Sequence, residues 1–293
     1  MTLTALERSA LESALHAAGH RFTIQSAAPC GGGCIHRSYA LASRGQRLFA
    51  KLNSEAFDAA FAAEADGLRA LAGAGIRAPE PVCHGRAGGF AFLVMEYLEL
   101  GASGNFAELG TRLAAMHSVH GERHGWHCDN FIGSTPQRNP ETRDWVTFWR
   151  EARLLPQLKL ARRNGFAGRL QERGERIAAD LARLLRGYAP PASLLHGDLW
   201  QGNAAFLAGD VPVVFDPAVY RGDRETDLAM TELFGGFPAA FYRAYRQAAP
   251  LDAGYAVRKH LYNLYHVLNH LNLFGGSYLR QAESMMERLL SEV

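Results

Sequence analysis

The segment His196-Gly197-Asp198-Leu199-Trp200-Gln201-Gly202-Asn203 constrains this chain more than any other. It sets a carboxylate and a carboxamide five positions apart on one tight, glycine-bearing loop. A second carboxylate, Asp216, follows the apolar run Val211-Pro212-Val213-Val214-Phe215, eighteen positions after Asp198. That spacing suits a short hairpin bringing both acids to one cleft. The pattern meets the demands of phosphoryl transfer, in which one carboxylate orients and deprotonates the attacking hydroxyl while an amide oxygen and another carboxylate hold metal on the phosphates. Asp198 therefore reads as the catalytic base, and Asn203 and Asp216 as magnesium ligands.

The chain ahead of this loop is β-rich. FTIQSAAPC and SYALAS flank a triple glycine, QRLFAKLN follows, and GGFAFLVMEYLEL reads as a buried strand turning polar near Glu96. Residues 55–73 have helical period. From Asn105 onward the pattern is helical, with Leu109, Leu113 and Met116 on one face and further helices over 144–163 and 168–186. Strands first and helices after imply an α+β protein of two lobes, 1–98 and 99–293. The small and polar residues of 98–105 mark the boundary, and 293 residues suffice for two cores. The first twenty residues, with Leu6, Leu11 and Leu15, form an amphipathic helix lacking the features of a signal peptide. A net charge of +2 points to no nucleic acid, and no apolar run is long enough for a membrane. Four cysteines make no disulfide framework, so the setting is cytoplasmic and reducing.

The HGDLWQGN loop, the block FDPAVYRGDRETDLAM and the stretch Asp129-Asn130-Phe131-Ile132-Gly133-Ser134-Thr135-Pro136-Gln137 resemble the fructosamine kinase (ketosamine kinase) family. That family belongs with aminoglycoside phosphotransferases and choline kinases in the protein-kinase-like fold. The resemblance runs from the glycine turn to Phe274-Gly275-Gly276. It implies ATP and Mg2+ as cofactors and a ketosamine, free or protein-bound, as substrate, phosphorylated on its sugar in deglycation repair. A kinase for another amine-bearing alcohol, such as an aminoglycoside or choline, and a nucleotide-binding pseudokinase are the alternatives.

The same resemblance assigns further residues. Lys51 would grip the ATP phosphates and pair with Glu64, with Glu55 a competing partner. Gly31, Gly32 and Gly33 would cover the phosphates, flanked by Cys30 and Cys34 as candidate redox-sensitive thiols. Met95, Glu96, Tyr97 and Leu98 would form the hinge around adenine. His196 and Asp227 would support the catalytic loop, Asp227 also capping the helix that follows. Trp200 would stack on the sugar. From the residues themselves Asp223 is a candidate substrate residue, and whether it and Glu225 face a cationic amine is left open by the sequence. The spacing of His117, His120, His124, His127, Cys128 and Asp129 leaves zinc open, but the resemblance explains this loop without metal. Monomer and homodimer both fit.

Overall fold

The structure, a computed structural model, describes residues 2–31 and 35–292. Its backbone divides into two units, Met1–Asn105 with Ala205–Pro217, and Phe106–Ala204 with Ala218–Val293. In the first unit, β1 (Ser26–Cys30), β2 (Arg37–Ser43), β3 (Gln46–Ser54), β4 (Pro81–Ala87) and β5 (Phe90–Glu96) form one antiparallel sheet in the order β1-β2-β3-β5-β4. Successive side chains of a strand point to opposite faces. In β3, Ala50 and Leu52 join a core with Leu11 and Leu15 of helix α1 (Ala5–Ala17), while Lys51 turns the other way, toward helix α2 (Asp58–Gly73). With helices on both faces, β5 is a continuous buried run and does not alternate.

Helix α1 begins on a capping box: Thr4 Oγ1 accepts from the Glu7 N–H at 3.2 Å, and the Glu7 carboxylate accepts from the Thr4 N–H at 2.9 Å. Leu11 and Leu15 are buried, but Leu6, expected beside them, is exposed. The step from Leu6 to Leu11 does not return to the same face of a 3.6-residue helix.

The second unit is built from α3 (Phe106–His117), α4 (Trp145–Trp149), α5 (Leu155–Arg163), α6 (Arg169–Leu184), α7 (Glu225–Leu233), α8 (Ala239–Ala248), α9 (Tyr255–Phe274) and α10 (Leu279–Leu290). Leu261, Leu264, Leu268 and Leu271 of α9 share its core with Trp149, Leu158, Ile177 and Met286. A small sheet places β9 (Ala192–Leu195) between β6 (His120–Gly121) and β12 (Tyr220–Gly222), and β7 (Asn130–Ile132) pairs with β8 (Thr135–Gln137). The helix expected over 144–163 is interrupted by a π-helical turn, Arg150–Leu154. That turn buries Arg153 completely, its guanidinium 4.1 Å from the Tyr220 ring centre and 4.6 Å from that of Phe148. Among the described residues no helix is long and apolar enough to cross a membrane.

The hairpin of β10 (Ala204–Phe206) and β11 (Pro212–Val214) carries the chain back to the first unit. Phe206 exchanges backbone hydrogen bonds of 2.9 and 2.8 Å with Gly101, and the Val214 N–H donates to the Arg77 carbonyl at 2.9 Å. The single division expected near residues 98–105 thus misses the return of 205–217. Backbone pairing between residues a hundred positions apart leaves no local pattern in sequence.

Candidate active site

In the first unit the Lys51 ammonium stands 2.6 Å from Glu64 Oε1 and 2.5 Å from Asp216 Oδ1. Helix α2 supplies Glu64, and the exit from β11 supplies Asp216. Of the two candidate glutamates, Glu64 makes this pair, while Glu55 is exposed on the 3-10 turn before α2. Burial works against the Lys51 charge, but Asp216 and Glu64 outweigh it and hold the ammonium above the ordinary lysine range. Burial raises the Glu64 carboxyl, with Lys51 opposing. Asp216 has φ of +55°, a left-handed conformation that aspartate tolerates better than most residues and that clusters at functional sites. Its side chain is 46% exposed, so the carboxylate serves the buried ammonium and is also open to solvent.

His36 was not anticipated. Its Nδ1 lies 3.0 Å from Asn53 Nδ2, and its ring packs on Phe57 and Phe61 at 5.2 and 4.9 Å. Burial, then the Lys51 charge, push its pKa down to about 4, so the ring beside this cluster is neutral near pH 7. Its one sequence signal was its place just after the glycine turn. Gly31 is exposed; Gly32, Gly33 and Cys34 lie outside the described residues.

In the second unit the Asp198 loop leaves β9 and ends on a 3-10 turn, Gln201–Asn203. The Asp227 carboxylate accepts from the His196 N–H at 2.7 Å and the Gly197 N–H at 2.8 Å. It also lies 3.1 Å from His117 Nε2, whose ring partner Nδ1 is 2.7 Å from the Tyr245 hydroxyl. Burial raises the Asp227 carboxyl, but the His117 bond and the loop N–H groups outweigh it and hold the group below the usual aspartate range. Gly197 has φ of +82°, and a Cβ there would stand 2.1 Å from the Ala218 carbonyl oxygen. Only glycine fits. The Asp198 N–H donates to His196 Nδ1 at 3.2 Å. Asn203 Nδ2 donates to the Asp198 carbonyl at 2.9 Å and lies 3.3 Å from its carboxylate. With that nitrogen committed, the amide oxygen is the atom left for a hard cation.

The stretch Asp129–Gln137 fastens the backbone that follows Asp216. Asn130 Nδ2 donates to the Val219 carbonyl at 2.7 Å, and Gln137 Nε2 to that of Ala218 at 3.3 Å. The Tyr265 hydroxyl donates to Gln137 Oε1 at 2.7 Å and holds the second amide in place.

A family model described as fructosamine kinase matches residues 8–292. The chain belongs to the fructosamine kinase family. A probable ketoamine kinase of Synechocystis sp. is 48% identical over 276 residues, covering 93% of this chain and 92% of that protein. A chloroplastic protein-ribulosamine 3-kinase of Arabidopsis thaliana is 40% identical over 265 residues, covering 89% and 81%. The solved structure of a putative fructosamine-3-kinase from Haemophilus somnus matches with a TM-score of 0.88 at 29% identity, covering 96% and 97%. The fold is protein-kinase-like, with a small β-rich lobe and a larger helical one, a likeness that extends to aminoglycoside phosphotransferases at the level of fold. As a fructosamine kinase family member the chain is an ATP-dependent phosphotransferase acting on a sugar hydroxyl.

Several expectations change in this chain. Asp223 is fully buried and accepts from the Tyr188 hydroxyl at 3.1 Å, the Tyr262 hydroxyl at 2.5 Å and the Glu225 N–H at 3.0 Å. Glu225, also buried, takes Arg258 through two bonds of 2.6 and 2.7 Å. Both acids are spent inside the unit, so neither faces a substrate amine. Asp223 meets the first N–H of α7, while Asp227, expected as the cap, sits within its first turn and holds the His196 and Gly197 N–H groups of the Asp198 loop. Three histidines of that stretch part company: His117 belongs to the Asp227 brace, His124 packs on Trp145 at 5.0 Å, and His120 is exposed on β6, while His127 and Cys128 keep their ligand atoms together.

Trp200 is 37% exposed, with its ring edge-on to Phe234 at 6.1 Å. A Cβ on Gly202 would stand 2.3 Å from the Trp200 indole, so this glycine lets the ring lie against the loop. At the expected hinge, Met95 is buried, Glu96 pairs with Arg77 at 2.5 Å, the Tyr97 ring carries the Arg47 guanidinium at 3.7 Å, and Leu98 is half-buried.

Proposed function

We propose that this kinase transfers the γ-phosphoryl group of ATP to the third-carbon hydroxyl of a ribulosamine or fructosamine, free or protein-bound. Asp198 orients that hydroxyl and takes its proton. The ammonium of Lys51, held between Glu64 and Asp216, is the observation that carries the reading, because it supplies a fixed cation for phosphate oxygens next to a metal-ligand carboxylate. Asn203 and Asp216 are the magnesium ligands, and their amide and carboxylate oxygens suit that hard cation. Bound magnesium supplies charge neutralisation on the phosphates. The glycine turn, of which Gly31 is described, is the segment we assign to the phosphates, and the backbone of Met95–Leu98 takes adenine. Trp200 offers an exposed ring face to the sugar. Positioning and electrostatics account for most of the acceleration. The phosphorylated ketosamine is unstable and frees its amine, which gives the reaction a role in deglycation. We place the enzyme in the cytoplasm as a monomer or homodimer.

The test is ADP release on ribulosamine, erythrulosamine and fructosamine derivatives, beside an aminoglycoside and choline. Wild type is expected to turn over ketosamines. Asp198→Asn is expected to keep ATP binding and lose about 10²–10⁴-fold in turnover, the usual range for a general base. A near-fully active Asp198→Asn removes the base assignment, and turnover of the aminoglycoside alone removes the substrate.

A further inference from the structure

We propose that the hollow between α7 and α8 is an anion subsite, in which Arg243 and Arg246 take a carboxylate on the amine-bearing half of the ketosamine. The inference rests on the ketosamine reading and extends it from the sugar to what the sugar is attached to.

The hollow has a volume of about 470 Å³ and is lined by Glu232, Gly235, Gly236, Tyr242, Arg243 and Arg246. Its acid is already neutralised, since Glu232 bonds Lys259 at 2.7 Å and accepts from the Tyr255 hydroxyl at 2.7 Å. The Tyr242 hydroxyl is committed to the Thr231 carbonyl at 3.1 Å and the Phe237 N–H at 3.0 Å. The arginines differ. Three positions apart on α8, they share one helix face, both are exposed, and neither forms an ion pair among the described residues. The hollow therefore presents two uncompensated guanidiniums, the side chain best shaped for a carboxylate.

Its position ties it to the reaction. Gln201 Nε2 donates to the Gly236 carbonyl at 2.5 Å, and Trp200 meets Phe234, so the wall of the hollow is fastened to the catalytic loop. Gly235 and Gly236 have φ of +88° and +74°, which lets the segment turn there without side chains filling the space. Gln201 is three residues past Asp198, at most about 10 Å of extended chain. A lysine glycated on its side chain places its α-carboxylate about 11 Å from the third sugar carbon, for an extended chain of bonds near 1.5 Å. A carboxylate across the lysine stem from the sugar therefore extends about as far as Gln201, whose side chain holds the wall of the hollow at Gly236.

The experiment compares kcat and KM for side-chain ketosaminyl-lysine with the same compound as its α-carboxamide. A second arm uses ketosaminyl-lysine peptides flanked by Glu or by Gln. Wild type is expected to favour the carboxylate through KM, by roughly 5-fold for each arginine, the equivalent of one exposed ion pair. The ratio should approach one in Arg243→Ala/Arg246→Ala, recover in part with lysines at both positions, and shrink in high salt. Preference for the free amino acid alone names that source, and preference for acidic peptides names the other. Wild type turning over both members of each pair equally overturns the subsite alone, as does an equal loss on both in the double variant. Turnover of no ketosamine by wild type overturns the substrate reading and the subsite with it.

Discussion

Asp223 and Asp227 stand four positions apart and end with opposite proton affinities. Asp227 gathers His117 and two loop N–H groups and is held low. Asp223 is raised to about 7, chiefly by burial and next by the neighbouring Glu225 charge, against the donors Tyr262, Tyr188 and the Glu225 N–H. The charged and titratable groups around it are Tyr188 ahead of β9, Arg224 and Glu225 at the start of α7, Tyr245 on α8, and Arg258 and Tyr262 on α9. A raised carboxyl keeps a proton in the folded state that the unfolded chain has already released. Its contribution to stability is present below the ordinary aspartate pKa and is lost as pH rises through about 7. Asp223→Asn removes that loss. Thermal unfolding at pH 5, 6.5 and 8 should show the variant gaining on wild type as pH rises, and a difference that stays constant across that range would mean that Asp223 is ionised throughout.

At the scale of elements, two glycines in one loop make different demands. A Cβ on Gly197 meets backbone, the Ala218 carbonyl, in a left-handed conformation, and nothing nearby can give way. A Cβ on Gly202 meets the edge of the Trp200 indole, a side chain that can swing. Gly197→Ala should cost about 1–3 kcal/mol in strain and displace Asp198, for a loss near 10²-fold in kcat, the usual consequence of an ångström of misplacement. Gly202→Ala should spare stability and raise the ketosamine KM by moving Trp200. Unfolding midpoints and steady-state kinetics of the two variants check this, and equal effects in both would show that the loop is not held from Ala218. The strand and helix periods were legible here. QRLFAKLN read as a strand and is β3, but the π-turn at Arg150–Leu154 has no periodic signature and went unread.

For the whole molecule the deciding feature is the return of residues 205–217 to the first unit. The route carries Asp216 to Lys51 across 165 positions of sequence. If Asp216 is a magnesium ligand, nucleotide binding should stabilise the fold in a metal-dependent way. At a hundredfold excess over Kd the gain is about 2.7 kcal/mol. Wild type should therefore melt higher with ATP and magnesium than with ATP and chelator, while Asp216→Ala should lose that difference. An unchanged difference in the variant would assign the metal to other residues.

The sequence by itself determined the chemistry and the family. Asp198, Asn203 and Asp216 stand out as candidates by residue type and short spacing, and HGDLWQGN with FDPAVYRGDRETDLAM needs no neighbour to be read. It also determined the β-rich front and helical remainder, because those periods are local. Only the tertiary structure decided the partners. It chose Glu64 over Glu55, because the side of β3 on which Lys51 emerges faces α2. It moved His117 from a candidate metal ligand to the brace of Asp227, and it enclosed Asp223 and Glu225 among Tyr188, Tyr262 and Arg258. An acid beside a motif looks the same in sequence whether it faces water or is sealed among tyrosines. Burial and long-range hydrogen bonding belong to packing, and packing is what one chain read residue by residue does not display.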